Sequence, residues 1–198
     1  MESDAYDQLK QAWLDEHHAP ELLPYAFELV TRISHDIEEQ QEEVEDTLDG
    51  ECDEKERFSS NLLLMGLDRA KYLLSSYLKA RITKIEAYFE DVLSSPVYRG
   101  RLSPKELQYA QQFKELMTTH FKDTVLGKLP QEYQTTDDPE MVEKPNMQQH
   151  VICRVKDAIG EVQVDAGNPP AHLEEDDVVV IRYEPVRSLF LEKRIEMV

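Results

Sequence analysis

Apolar residues recur at helical spacing through the first two-thirds of the chain and at strand spacing near its end. Leu9, Ala12 and Trp13 mark a short first helix from Ala5 to about Glu16, and the prolines Pro20 and Pro24 break and restart the chain after it. From Pro24 onward Leu29, Val30, Ile33, Ile37, Val44 and Leu48 form one stripe of a second helix whose other faces are acidic.

Asp53 followed by Glu56 spells a capping box, so a third helix is expected to begin there. No proline intervenes before Pro96 and the only glycine is Gly66, which allows about 42 helical residues over 53–94, roughly 60 Å. Within it Leu62-Leu63-Leu64-Met65 are consecutive and at 100° steps cover most of the circumference. Tyr72, Leu73, Leu74, Tyr77 and Leu78 repeat the pattern, and Ile82, Ile85, Tyr88, Phe89 and Val92 continue it. A helix apolar nearly all round must be covered nearly all round, by its own core and by partners.

Ser103-Pro104-Lys105-Glu106 is a second capping box, with proline at the first helical position. Leu107, Ala110, Phe113, Met117, Phe121, Thr124 and Val125 supply a core face for the fourth helix, and Gly127 and Pro130 end it. Residues 130–146 hold Pro130, Pro139 and Pro145 without periodicity and are expected to form a linker. Short β-branched runs follow at 151–155, 161–164 and 178–183, then a helical turn over 186–192 and a last strand at 195–198. The expected fold class is α+β, with a mainly α-helical N-terminal bundle over 1–129 and a small C-terminal β-rich domain over 147–198. About 50 residues make a marginal domain alone, so this one is expected to lean on a neighbour.

Charge narrows the function. A net charge of −19 disfavours phosphate backbones and anionic lipid, so direct DNA contact is expected to be weak or absent and no membrane partner is expected. Between Asp36 and Glu56 lie twelve acids and one base, a solvated surface first and an acidic docking surface second. The one basic concentration, Arg69, Lys71, Lys79, Arg81 and Lys84 beside Tyr72 and Tyr77, could face nucleic acid, but pairing with nearby carboxylates fits the acidic surroundings better. Cys52 and Cys153 are the only two cysteines and lack CxxC spacing, so neither a disulfide framework nor a zinc site is encoded. The opening Met1-Glu2-Ser3-Asp4 lacks a basic or apolar leader, and an intracellular, soluble protein is expected.

Catalytic signatures are missing. Neither GxxxxGK[ST] nor GxGxxG occurs, and His17, His18, His35, His120, His150 and His172 form no HExxH arrangement. Glu174-Glu175-Asp176-Asp177 sits in a turn, where carboxylates are solvated rather than poised for acid–base work. A non-catalytic interaction subunit without cofactor or metal is the favoured reading. A helical scaffold or tether of another multiprotein complex comes next, and an enzyme with a site assembled from distant residues last.

Three stretches carry a resemblance: Gln11-Ala12-Trp13 with Ala19-Pro20-Glu21-Leu22-Leu23; the run 69–86, above all Leu73-Leu74-Ser75-Ser76-Tyr77-Leu78; and Leu102-Ser103-Pro104-Lys105-Glu106-Leu107. Together, and with the order of a helical domain before a small β domain, they resemble the SLD-five-type subunit family of GINS, the four-subunit factor of the eukaryotic replicative helicase. The resemblance implies a nuclear, non-catalytic subunit held by three sister GINS subunits. It also implies partners in the minichromosome-maintenance helicase and its cell-division-cycle partner, and in polymerase epsilon through the complex. It places the helix over 69–86 at a subunit interface and the strands from Val151 against a sister subunit. With the apolar run before it, the expected interface comprises Leu62, Leu63, Met65, Arg69, Tyr72, Leu73, Leu74, Tyr77, Leu78, Arg81, Ile85, Val151, Ile152 and Val155.

Overall fold

A computed structural model describes residues 3–50, 53–130, 134, 142–163 and 170–198. Most of the expected linker, and the end of the expected second strand at Val164, lie outside the described residues.

The bundle is built from α1 (Ser3–His18), α2 (Phe27–Asp49), α3 (Glu54–Ala87), the short α4 (Phe89–Ser94) and α5 (Pro96–Arg99), and α6 (Pro104–Thr124), with a 3-10 turn at Leu126–Lys128. Both capping boxes form. Asp53 accepts from the Glu56 amide at 2.8 Å while Glu56 accepts from the Asp53 amide at 2.9 Å, and Ser103 and Glu106 reciprocate in the same way. Each exchange satisfies backbone donors that have no carbonyl within the first turn.

The third helix is shorter than its spacing predicts. Tyr88 leaves helical geometry at φ −119° and ψ 27°, ending α3 after 34 residues, about 51 Å at ~1.5 Å per residue. No proline or glycine causes this. Tertiary packing does: Phe89 meets the Phe113 ring edge-on at 5.5 Å, Tyr109 donates to Glu86, and Val92 is buried with Leu22, Ile85 and Ala110. The bend directs α4 onto α6. A second bundle cluster joins Ala5 and Leu9 of α1, Ile33 and Ile37 of α2, and Ala70 and Leu73 of α3. Trp13 is fixed beside it by its indole N–H, which donates to Ser76 at 2.9 Å.

The fourth predicted core face holds only over its first turns. Ala110 is buried and Phe113 half-buried, but Phe121, Thr124 and Val125 are exposed because α6 outruns the elements that cover it.

The C-terminal unit contains β1 (His150–Val155), β2 (Gly160–Val162), β3 (Ala171–Leu173), β4 (Val178–Arg182), α7 (Tyr183–Leu191) and β5 (Ile195–Met197). Its three-stranded sheet runs β4-β1-β5, all antiparallel, with Ile152 opposite Val180 and Cys153 opposite Met197. β2 and β3 pair separately. The sequence pattern missed β3, a three-residue strand holding one histidine. It also started the last helix too late: Pro185 lies in the first turn of α7, where a missing N–H costs nothing.

As the marginal size of this unit implies, it leans on a neighbour, and the neighbour is the bundle itself. Ala19 and Leu23 enter the core of Val151, Val155, Ile181, Tyr183, Val186 and Phe190.

Candidate partner interface

Two buried ionic hubs set the framework from which the exposed surface projects. Arg81 lies on the α3 stripe of Ala70, Leu73, Tyr77 and Ile85 and is 0% exposed. Its Nε donates to Glu106 at 2.7 Å, Nη1 to Glu16 at 2.9 Å and to the Leu23 carbonyl at 2.8 Å, and Nη2 to the Arg101 carbonyl at 3.1 Å and Glu106 at 3.2 Å. All five guanidinium N–H groups are therefore used. Lys84 adds a 2.8 Å pair to Glu16. Burial alone would lower Arg81's affinity for its proton, but the Glu106 and Glu16 carboxylates outweigh it and hold the guanidinium firmly charged.

Glu21 is the second hub and ties the two units together. It accepts from Arg187 Nε at 2.7 Å, Arg187 Nη2 at 2.6 Å, Arg101 at 2.8 Å, the Tyr183 hydroxyl at 2.9 Å and the Tyr98 hydroxyl at 3.1 Å. Burial pushes its carboxyl up. Arg187, Arg101 and Tyr183 more than reverse that and leave it below the ordinary value of 4.5. Stability from this hub is therefore complete above the ordinary value and lost as pH falls through it toward the depressed folded one. Asp15, raised by its own burial, acts with the opposite sign. Urea midpoints followed from about pH 7 to 3 are expected to show this acid-side loss in the native chain. In Glu21→Gln the midpoint at neutral pH should be lower and the loss smaller.

The expected pairing of α3 bases with carboxylates holds for Arg81 and Lys84, but neither the full burial of Arg81 nor the Glu21 hub was foreseen from the sequence. Arg81 carried a signal, since it falls four residues from both Tyr77 and Ile85 on an apolar stripe. Glu21, set between Pro20 and Leu22-Leu23, carried a weaker one.

The expected interface residues divide sharply. Leu73, Tyr77, Arg81 and Ile85 are buried within the bundle, and Val151 and Val155 lie under α7, so these six are corrected from partner-facing to internal. Periodicity reports burial without saying whose surface buries. Leu74 and Leu78 are half-buried. Leu62 (61%), Leu63, Met65 (65%), Arg69, Tyr72 (68%) and Ile152 (49%) are exposed.

The exposed set is ordered. Phe58, Leu62, Met65, Arg69 and Tyr72 recur at steps of four and three residues, so they share one stripe of α3, turned away from Leu67 and Ala70 and flanked by Leu73. Leu63 falls on the inward side but stays uncovered in this part of α3. The stripe is apolar except at Arg69, and its four apolar members are uncovered.

Of the basic concentration on α3, three of five residues are engaged. Besides Arg81 and Lys84, Lys71 donates to Gln41 at 2.6 Å, while Arg69 and Lys79 remain exposed. Cys153 is buried, which pushes its thiol up to about 11 and makes it unreactive. Among the described residues no group of three or more His, Cys, Asp and Glu side chains could hold a metal, and no helix is long and apolar enough to cross a membrane.

Comparison with known proteins finds a match for each of the two units. The family described as "GINS complex protein helical bundle domain" matches residues 31–125, and that described as "DNA replication complex GINS protein SLD5 C-terminus" matches residues 145–198. The chain is 33% identical to the DNA replication complex GINS protein SLD5 of Arabidopsis thaliana, over 100% of this chain and 93% of that protein. It is 34% identical to that of Chaetomium globosum, over 92% and 85%, and 30% identical to that of Bos taurus, over 99% and 90%. With both family matches falling on the two units described above, and these identities running over nearly its whole length, the chain belongs to the SLD5 family of DNA replication complex GINS proteins.

Proposed function

We propose that the chain acts without catalysis of its own, as the subunit that presents the α3 stripe to sister GINS subunits in the nucleus. The observation carrying this reading is the stripe itself: Phe58, Leu62, Met65 and Tyr72 are uncovered on a helix whose opposite face is packed. Arg69 belongs to the stripe, while Leu63, Leu74 and Leu78 on other sides of α3 and Ile152 on the β-domain sheet are further partner contacts of this reading. We assign residues 1–129 to the helical domain, 130–146 to the linker and 147–198 to the β domain. Three sister subunits are the direct partners. The minichromosome-maintenance helicase, its cell-division-cycle partner and polymerase epsilon are reached through the assembled complex.

Co-expression tests the reading. The chain made alone is expected to self-associate as its concentration rises, because the apolar stripe then finds only itself. Co-expression with three sister subunits is expected to convert it into a stoichiometric complex of four different chains. A chain that stays monomeric at high concentration and elutes apart from the sister subunits would overturn the proposal.

A further inference from the structure

Backbone hydrogen bonds alternate sides along β1. Val155 donates to the Asp177 carbonyl at 2.9 Å and Tyr183 donates to the Gln149 carbonyl at 3.0 Å. With Val151 opposite Ile181 and Cys153 opposite Val179, the odd-numbered residues of β4 turn their amides and carbonyls toward β1. Those of Val178 and Val180 point the other way. On the opposite side of β1, Val198 donates to the Ile152 carbonyl at 3.2 Å and Lys156 to the Arg194 carbonyl at 2.8 Å, so Met197 of β5 faces outward. Its amide donates to Asp15 at 3.0 Å and its carbonyl accepts from Gln11 at 2.9 Å. α1 thus seals the β5 edge with two side chains.

β4 receives no equivalent seal among the described strands, since it ends the sheet. Exposed edges are normally defended by lysine, proline or a bulge. Val178-Val179-Val180-Ile181 has none of these, and β4 carries a charge only at its last residue, Arg182. The side chains of Val178 and Val180 (68% exposed) stand out from the sheet, and Val180 lies in register with Ile152, which bonds Val198, giving an exposed apolar row across three strands. In the next two rows Arg154 and Lys156 both pair with Glu196, at 3.7 and 2.8 Å, with the Asp15 carboxylate close enough to act on Lys156 as well.

We propose that β4 accepts an extended segment of a sister subunit as a fourth strand of this sheet. The inference rests on the assembly reading above and gives it a second contact, separate from the α3 stripe. Only extended backbone matches the donor and acceptor spacing of a strand edge. The Val180, Ile152 and Val198 row selects apolar residues at alternate positions of the incoming segment.

Residue-resolved hydrogen exchange on the chain alone and on the co-expressed four-subunit complex tests this. Val179 and Ile181 amides are expected to be slow in both. Val178 and Val180 amides are expected to be fast in the chain alone and about a hundredfold slower in the complex. Val180→Pro supplies the second measurement. It deletes an N–H that β1 does not use, so the fold should survive, while binding to the sister subunits weakens about tenfold or more. A stoichiometric complex in which the Val178 and Val180 amides exchange as fast as in the free chain overturns the strand proposal and leaves the assembly reading standing. Failure to form any complex overturns both. Slowing in the chain alone that grows with concentration assigns the edge to a second copy and likewise overturns the proposal. Should Val180→Pro fail to fold, the exchange comparison on the native chain decides.

Discussion

Arg81→Met is expected to destabilise the chain by about 3–5 kcal/mol, seen as a large fall in the urea midpoint and in soluble yield. The side chain keeps its volume but removes five donors at once, leaving Glu16, Glu106 and the carbonyls of Leu23 and Arg101 without their partner in a region that water does not reach. Two carboxylates would then face each other across the vacated site. Lys84 would compensate only Glu16. Combining Arg81→Met with Glu16→Gln and Glu106→Gln is expected to recover part of the loss, because neutral amides in the same place are cheaper to bury than unpaired charges. A single Arg81→Met variant as stable as the native chain would show that the hub contributes nothing to the fold.

Leu62→Asp together with Met65→Asp has the opposite signature. Both side chains are mostly solvated in the chain by itself, so its own unfolding midpoint is expected to shift by no more than about 0.5 kcal/mol. Assembly with sister subunits is expected to weaken by about a thousandfold, near 4 kcal/mol, because two charges would be buried against an apolar partner face. Quantitative pull-down of the co-expressed subunits reads this directly. Glu43→Ala on the acidic face of α2 is the matched control and should bind normally. Equal binding by both variants would mean that the stripe is not an interface. Leu74→Asp is a poorer probe, since Leu74 packs against the cluster of Leu9, Ile33 and Ala70 and its loss would damage the bundle as well.

The sequence made the helices legible where local chemistry is sufficient. Asp53 with Glu56 and Ser103 with Glu106 marked two helix starts to the residue, because a capping box is a local exchange of hydrogen bonds. The break at Tyr88 was hidden, since Ala87-Tyr88-Phe89 contains nothing that opposes a helix and the bend comes from rings on α6. Strand β3 was hidden for a related reason, its three residues being too few for a period. The interface was half legible. Apolar spacing identified residues that must leave water, but Tyr77 and Ile85 do so inside the chain while Leu62 and Met65 await a partner, and only the packing of the other elements, α4 and α6 included, against α3 distinguishes them.

The Glu21 hub bears on the order in which the molecule is completed during synthesis. Its bonds to Tyr183 and Arg187 span 162 and 166 residues, and the Gln11 contact with Met197 spans 186. Every bundle residue has left the peptidyl-transfer centre before any of these partners is made. At ~5–20 residues per second, the interval between Thr124 and Met197 is about 4–15 s. During it the Glu21 carboxylate has, of its five bonds, only those from Arg101 and Tyr98, and Leu23 lacks the β-domain core that covers it in the finished chain. The final docking closes a loop almost as long as the polypeptide. Because the entropy of closure rises only with the logarithm of length, that distance is a small thermodynamic burden but a real delay, and the last dozen residues decide when the two units become one.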